Sequence, residues 1–202
     1  MRRQRLGVMG GTFDPIHNGH LMIAEAAASA LHLDRVLFIP DYIPPHKAAG
    51  TASAGDRMAM TILAVQGHPL FLPSDMELRR KGRSYTYDTM RALHRRWHRF
   101  YDLYFIIGGD SAEQLATWYR IGDTMRYCTF VAAGRPGYAA RRDEVTEALA
   151  RRGLKRLIWV DAEEMDISST EIRRRLAAGE SADGMMPGAV VDYIRQRDLY
   201  RR

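Results

Sequence analysis

The 202 residues are 46% hydrophobic and 27% charged with a formal net charge of +6, which is the balance of one globular domain large enough to bury a single sizeable core. No apolar run approaches the roughly 20 residues that span a bilayer, and the charged start Met1-Arg2-Arg3-Gln4-Arg5 leads directly into a short strand with no secretory h-region. Cys128, alone in the chain, excludes an internal disulfide and reads as a small buried hydrophobe, so the expected home is the cytoplasm and no membrane is expected as a partner.

In chain order, short β-rich runs alternate with longer helical patterns. A strand over 6–9 leads into a glycine-bearing turn and a helix over 20–31. A strand follows at 36–39, then the Pro-, Ala- and Gly-rich stretch 41–55, which reads as a flap over a site. Next come a helix at 56–66, a strand at 70–72, a helix at 86–97, a strand at 103–107 and a helix at 111–118. Strands at 129–132 and 157–160 flank a helix at 141–152, and helices at 168–178 and 188–199 close the chain. Apolar strands alternating with helices predict a parallel sheet covered on both faces, a doubly wound Rossmann-like α/β fold. One domain over 1–202 is expected, with a small C-terminal helical portion from about 166. With strands ordered 3-2-1-4-5, the order reverses between strands one and four, and ligands of open parallel sheets bind at the carboxyl ends beside such a reversal. Those ends carry Gly10–His20 and Gly108-Gly109-Asp110-Ser111. A Gly-x-Gly-x-x-Gly turn after strand one is absent from the sequence, which argues against hydride transfer.

The turn after strand one is the most informative stretch: Gly10-Gly11-Thr12-Phe13-Asp14-Pro15-Ile16-His17-Asn18-Gly19-His20-Leu21. Paired glycines let backbone approach a ligand closely. His17 and His20, three apart where a helix begins, present both imidazoles to one point already favourable for an anion. A zinc site is the other reading of His-x-x-His, but no third ligand stands at a suggestive spacing. The whole run resembles the nucleotide-binding signature of the nucleotidylyltransferase superfamily, built around the tetrad His17-Asn18-Gly19-His20.

Two further clusters extend the resemblance. Ile167-Ser168-Ser169-Thr170-Glu171-Ile172-Arg173 opens a helix, and Ser168 with Glu171 has capping-box spacing that a purely structural role explains. The same hydroxyls, free amides and Arg173 also suit a polyphosphate. The run is similar to the superfamily's second signature, which holds the β- and γ-phosphates of ATP. Arg83-Ser84-Tyr85-Thr86-Tyr87-Asp88-Thr89 and Leu115-Ala116-Thr117-Trp118-Tyr119-Arg120 look like the nicotinate-nucleotide adenylyltransferase branch, as do Pro44-Pro45-His46-Lys47 and the chain's end. Read from the residues alone, Trp118 is either a partly buried core aromatic or a stacking platform, and Lys47 is either an exposed lysine or a phosphate contact.

The resemblance covers nearly the whole chain and implies a reaction: transfer of the adenylyl group of ATP to nicotinate mononucleotide, giving nicotinate adenine dinucleotide and pyrophosphate in NAD biosynthesis. It implies an ATP site of Gly10, Gly11, Thr12, Phe13, His17, Gly19 and His20, joined by Gly108, Asp110, Ile167, Ser168, Ser169 and Arg173. His17, His20 and Arg173 are the expected catalytic groups. Nicotinate mononucleotide falls to Lys47, Tyr85, Thr86 and Trp118, the tryptophan stacking on the pyridine ring and the Tyr-Thr turn taking the carboxylate. Asp110 suits ribose hydroxyls or a magnesium-bound water. Mg²⁺ is the expected cofactor, carried on the ATP phosphates with no dedicated protein metal site.

Competing readings are a sister transferase using nicotinamide mononucleotide or phosphopantetheine, a catalytically silent nucleotide sensor, and a nucleic-acid module. Phosphopantetheine has no flat ring for Trp118. A sensor has no need of both histidines and Arg173. The charge of +6 fits polyphosphates and nucleic acid alike, but the basic residues lie in helical patches such as 91–99 and 141–156, without the aromatic-and-basic stripe of a single-strand binder. No nucleic-acid partner is expected, and the oligomeric state, a homo-oligomer included, is left open.

Overall fold

The computed structural model describes residues 3–44, 52–134, 139–163 and 166–201. Its six strands are β1 (Gln4–Gly11), β2 (Arg35–Pro40), β3 (Phe71–Pro73), β4 (Tyr101–Gly108), β5 (Thr129–Gly134) and β6 (Leu157–Asp161), ordered β3-β2-β1-β4-β5-β6 in one sheet. β1 pairs in parallel with β4 from Gln4↔Tyr101 to Val8↔Phe105, β4 with β5 and β5 with β6. The order turns back at β1/β4, as the pattern of strands and helices predicts. Strand interiors are buried without alternation, Val36 to Ile39 and Phe130 to Ala133 for example, because the sheet of an α/β fold is covered on both faces.

The helices are α1 (Asn18–Leu31), α2 (Ala54–Val65), α3 (Met76–Arg80), α4 (Thr86–Trp97), α5 (Gly109–Glu113), α6 (Ile121–Thr124), α7 (Ala139–Arg151), α8 (Ser169–Ala177) and α9 (Gly188–Gln196). α2 starts two residues ahead of the expected position because Ser53 caps it, its Oγ accepting the Asp56 amide at 3.0 Å. The helix expected over 111–118 is instead α5 followed by a 3₁₀ turn at Leu115–Thr117. There the Thr117 hydroxyl donates to the Gln114 carbonyl at 2.7 Å, beside the 3₁₀ bond from its own amide, and Trp118 leaves in extended conformation. α3 and α6 are too short to leave a periodic signal, and the sequence does not reveal them.

Two compact units emerge. One comprises Met1–Met9, Met22–Leu37 and Tyr85–Glu164; the other comprises Gly10–Leu21, Phe38–Ser84 and Met165–Arg202. The first holds β4, β5 and β6 with the helices between them. Cys128 is buried there, and burial pushes its thiol up to about 12, so it is an inert apolar packing group as expected. The second holds the turn after β1, α2, β3, α8 and α9. Among the described residues no helix is long and apolar enough to cross a membrane.

Candidate active site

The turn after β1 belongs to the second unit and is mostly interior. Phe13, Asp14, Pro15, Ile16 and His17 are buried, and the Asp14–Pro15 peptide is cis. Phe13 has a left-handed φ of +50°, a strained conformation for a residue with a side chain, which turns its ring inward, edge-on to His20 at 5.1 Å. The His17 and His20 rings lie 3.7 Å apart and 31° from parallel. The backbone amide of His17 donates to His20 Nδ1 at 3.2 Å, so the neutral His20 ring carries its proton on Nε2. His17 Nδ1 is buried with no hydrogen-bond partner among the described residues. A Cβ on Gly19 would meet His17 Nδ1 at 3.1 Å and Cε1 at 3.2 Å, so a side chain there would press on the His17 ring.

His17 is 7% exposed, and its burial holds the ring's pKa down to about 4. The pair is therefore not a double cation awaiting phosphate; at neutral pH His17 is an uncharged hydrogen-bond donor and acceptor. Unfolded, the same ring titrates near 6.5, so as pH falls from there toward 4 the unfolded chain takes up a proton the folded protein refuses. Stability is lost across that window, by about 3 kcal/mol in all. A His17→Leu variant is expected to lose less stability than the wild type between pH 7 and pH 4, read from urea midpoints at each pH.

The second motif meets the first within this unit. Ser168 caps α8, its Oγ accepting the Glu171 amide at 3.1 Å, so half of the expected capping box forms. Glu171 turns instead to Arg174 and Arg175, whose guanidinium groups hold its carboxyl down to about 2. Ser169 Oγ donates to the Pro15 carbonyl at 3.0 Å and Arg173 Nη1 to the Asp14 carbonyl at 2.7 Å. Residues more than 150 positions apart are thus bolted together. Ile167 enters the same assembly, its carbonyl 3.8 Å from where a Gly19 Cβ would stand.

Arg57 organises the other side of the turn and was not among the residues expected to matter. It is 2% exposed. Its Nη1 donates to the Thr12 carbonyl (2.7 Å), the Asp41 carbonyl (2.8 Å) and Asp41 Oδ1 (3.2 Å), and its Nη2 to the Tyr42 carbonyl (3.2 Å). Thr12 Oγ1 in turn donates to Asp41 Oδ2 at 3.1 Å, and the Asp41 amide to the Gly11 carbonyl at 2.9 Å. The sequence did hold a signal: Arg57 lies three and four residues before Met60 and Thr61 on the buried stripe of α2, where an apolar residue is the rule.

Of the remaining expected residues, Gly108, Asp110, Tyr85, Thr86 and Trp118 lie in the first unit. Gly108 ends β4 and Asp110 is exposed in the first turn of α5. Between them, a Cβ on Gly109 would come within 3.2 Å of the Ala133 carbonyl, so a side chain there would crowd β5. Tyr85 is the N-cap residue of α4 but supplies no side-chain cap, and Thr86 is the first helical residue. Tyr85 packs 4.6 Å from Tyr119, the neighbour of Trp118, so these two segments come together. Trp118 is half-buried and perpendicular to Phe105 and Phe130 at 6.1 and 6.0 Å. It is both a wall of the core and partly open. Lys47 lies outside the described residues.

Residues 8–175 match the cytidylyltransferase-like family model. A protein of Oceanobacillus iheyensis named "Probable nicotinate-nucleotide adenylyltransferase" is 41% identical over 98% of this chain and 97% of its own length. The chain belongs to the nicotinate-nucleotide adenylyltransferase family. A relative of the same name in Moorella thermoacetica is also 41% identical, over 99% of this chain and 93% of its own. The fold is shared more widely: the nicotinic acid mononucleotide adenylyltransferase of Plasmodium falciparum complexed with NaAD superimposes with a TM-score of 0.77 at 18% identity, covering 98% of each chain.

Proposed function

We propose that this chain transfers the adenylyl group of ATP to nicotinate mononucleotide, releasing pyrophosphate and forming nicotinate adenine dinucleotide for NAD biosynthesis. The observation that supports it most is the bolting of the Ser169–Arg173 segment onto Asp14 and Pro15, beside the His17/His20 pair. This assembles groups suited to a triphosphate from opposite ends of the chain. The 5′-phosphate oxygen of the mononucleotide attacks the α-phosphorus, one P–O bond forms, the bond to the bridging α,β-oxygen breaks, and pyrophosphate leaves. A phosphate monoester is already an anionic nucleophile, so the protein's work is alignment and charge stabilisation.

In this reading His17 and His20 donate to the α-phosphate and to the bridging oxygen as it gains charge. The arriving anion raises the pKa of His17, so a ring that is neutral in the free protein becomes easier to protonate as negative charge builds beside it. Ser168 and Arg173 take the leaving pyrophosphate, while Ser169 holds the turn through Pro15. Gly10, Gly11, Thr12, Phe13, Gly19 and Ile167 shape the nucleotide's bed, and Gly108 is assigned to ATP binding. Mg²⁺, when bound, neutralises the triphosphate; it keeps several waters and needs few protein ligands, and the exposed carboxylate of Asp110 suits one of those waters. Trp118, partly open, offers its ring to the pyridine, and the uncapped start of α4 at Tyr85 and Thr86 offers amides to the nicotinate carboxylate. Lys47 is assigned a substrate phosphate. The cytoplasm is the proposed compartment, in keeping with a lone buried thiol and no disulfide.

Pyrophosphate release with ATP and Mg²⁺, comparing nicotinate and nicotinamide mononucleotides, tests this. The acid is expected to exceed the amide in kcat/KM by about tenfold or more, since the neutral amide forfeits a charge-assisted bond. Equal rates would remove Tyr85 and Thr86 from the carboxylate, and release with neither would overturn the function.

A further inference from the structure

Asp14 is the junction of the second unit. Its backbone carbonyl takes Arg173 at 2.7 Å, and its Oδ1 accepts the Ala52 amide at 3.2 Å and the Tyr200 hydroxyl at 2.6 Å. Past His17, the Asn18 amide donates to the Met185 carbonyl at 2.9 Å and Asn18 Nδ2 to the Gly184 carbonyl at 2.8 Å. His17 is therefore suspended between two pinned points, one on each side. Arg173 belongs to the phosphate motif, whereas Tyr200 lies in the family-like end of the chain, to which the resemblance assigns no role: it follows α9, 186 residues from Asp14.

The chain goes to some length to place that hydroxyl. Asp198 and Tyr200 both adopt left-handed φ, +49° and +68°, which side-chain-bearing residues rarely do unless their surroundings hold them there. The hydroxyl is held as a donor, because burial and the Asp14 carboxylate push its pKa above the ordinary tyrosine range. A carboxylate accepting two donors on one oxygen has little freedom to rotate. The docking of this segment is a separate matter: Tyr193 Oη donates to Asp56 Oδ1 at 2.9 Å and Arg197 Nε reaches it at 3.4 Å, fastening α9 to α2.

We propose that Tyr200 is a positioning residue for adenylyl transfer, acting through Asp14 to hold the 14–17 stretch so that the His17 ring meets the α-phosphate in register. This rests on the function proposed above. Tyr200→Phe removes only the hydroxyl; Tyr193→Phe removes a comparable bond from the same segment and serves as the control for docking. In Tyr200→Phe, kcat is expected to fall about tenfold with the KM for ATP changed less than about threefold, the split of an interaction felt in the transition state. The ¹⁵N resonances of the His17 ring should shift in the same variant. Tyr193→Phe should keep kcat within about twofold and leave those resonances in place. Asp14→Asn, which retains an oxygen for the hydroxyl, should keep most of the activity that Asp14→Ala loses. Equal kcat losses in the two tyrosine variants, or His17 resonances unmoved in Tyr200→Phe, overturns the assignment. Should the wild type release no pyrophosphate at all, the proposed function falls, and the His17 resonances still decide whether Tyr200 positions the turn.

Discussion

Replacing His17 by alanine is expected to lower kcat by about two to three orders of magnitude while leaving ATP affinity within a fewfold of wild type. The substitution isolates the ring, because the bond that orients His20 comes from the His17 backbone amide and survives it. In the proposed function, ground-state binding of the nucleotide draws on many amides and on Arg173, whereas a donor aimed at the α-phosphate gains strength as charge develops there. Stability should change little at neutral pH, for two opposed effects meet. Loss of the buried ring leaves a cavity, and loss of the unpartnered Nδ1 relieves a buried polar atom costing about 1–3 kcal/mol. Single-turnover rates with and without a pyrophosphate trap, set beside calorimetric ATP binding, separate the two quantities. Equal losses in turnover and binding would remove His17 from the chemistry and leave it a role in holding ATP.

Arg57→Ala is expected to be the most destabilising single change in the second unit, by about 3–5 kcal/mol, because it strips the cation from a buried carboxylate. Asp41 and the Thr12, Asp41 and Tyr42 carbonyls all lose a donor at once. Arg57→Lys should recover only part of the loss, since one ammonium on a flexible stem cannot reproduce a planar fork that reaches three carbonyls. A paired Arg57→Met, Asp41→Asn variant should be more stable than Arg57→Ala alone, because the charge is then removed from both sides. Urea denaturation of the set decides this. Were the double variant no better than the single one, the pair would be contributing through packing, not through charge. The same substitutions should depress activity, as the Thr12 carbonyl in the nucleotide turn is one of the groups Arg57 holds.

The alternation of apolar runs with amphipathic ones carries the fold in the sequence: all six strands appear where the pattern puts them, β3 displaced by one residue, and β1 and β4 are neighbours. Burial on both faces writes the interiors of the inner strands as unbroken apolar words, and that signal is local. Elements of four or five residues such as α3 and α6 carry no such signal, nor does the three-residue turn that follows α5. The family is equally legible, because the motifs that bear it, Gly10–His20 and Ile167–Arg173, are contiguous and their residue types follow from backbone approach, anion binding and capping. What those residues do to one another was decided only by tertiary structure. Burial of His17, which makes it neutral, the use of Ser169 as a bolt, the Arg57 hub and the reach of Tyr200 to Asp14 all arise between residues far apart in the chain. Residue order specifies which groups are present; desolvation and long-range hydrogen bonds, which exist only once the chain is packed, set their charge and their partners.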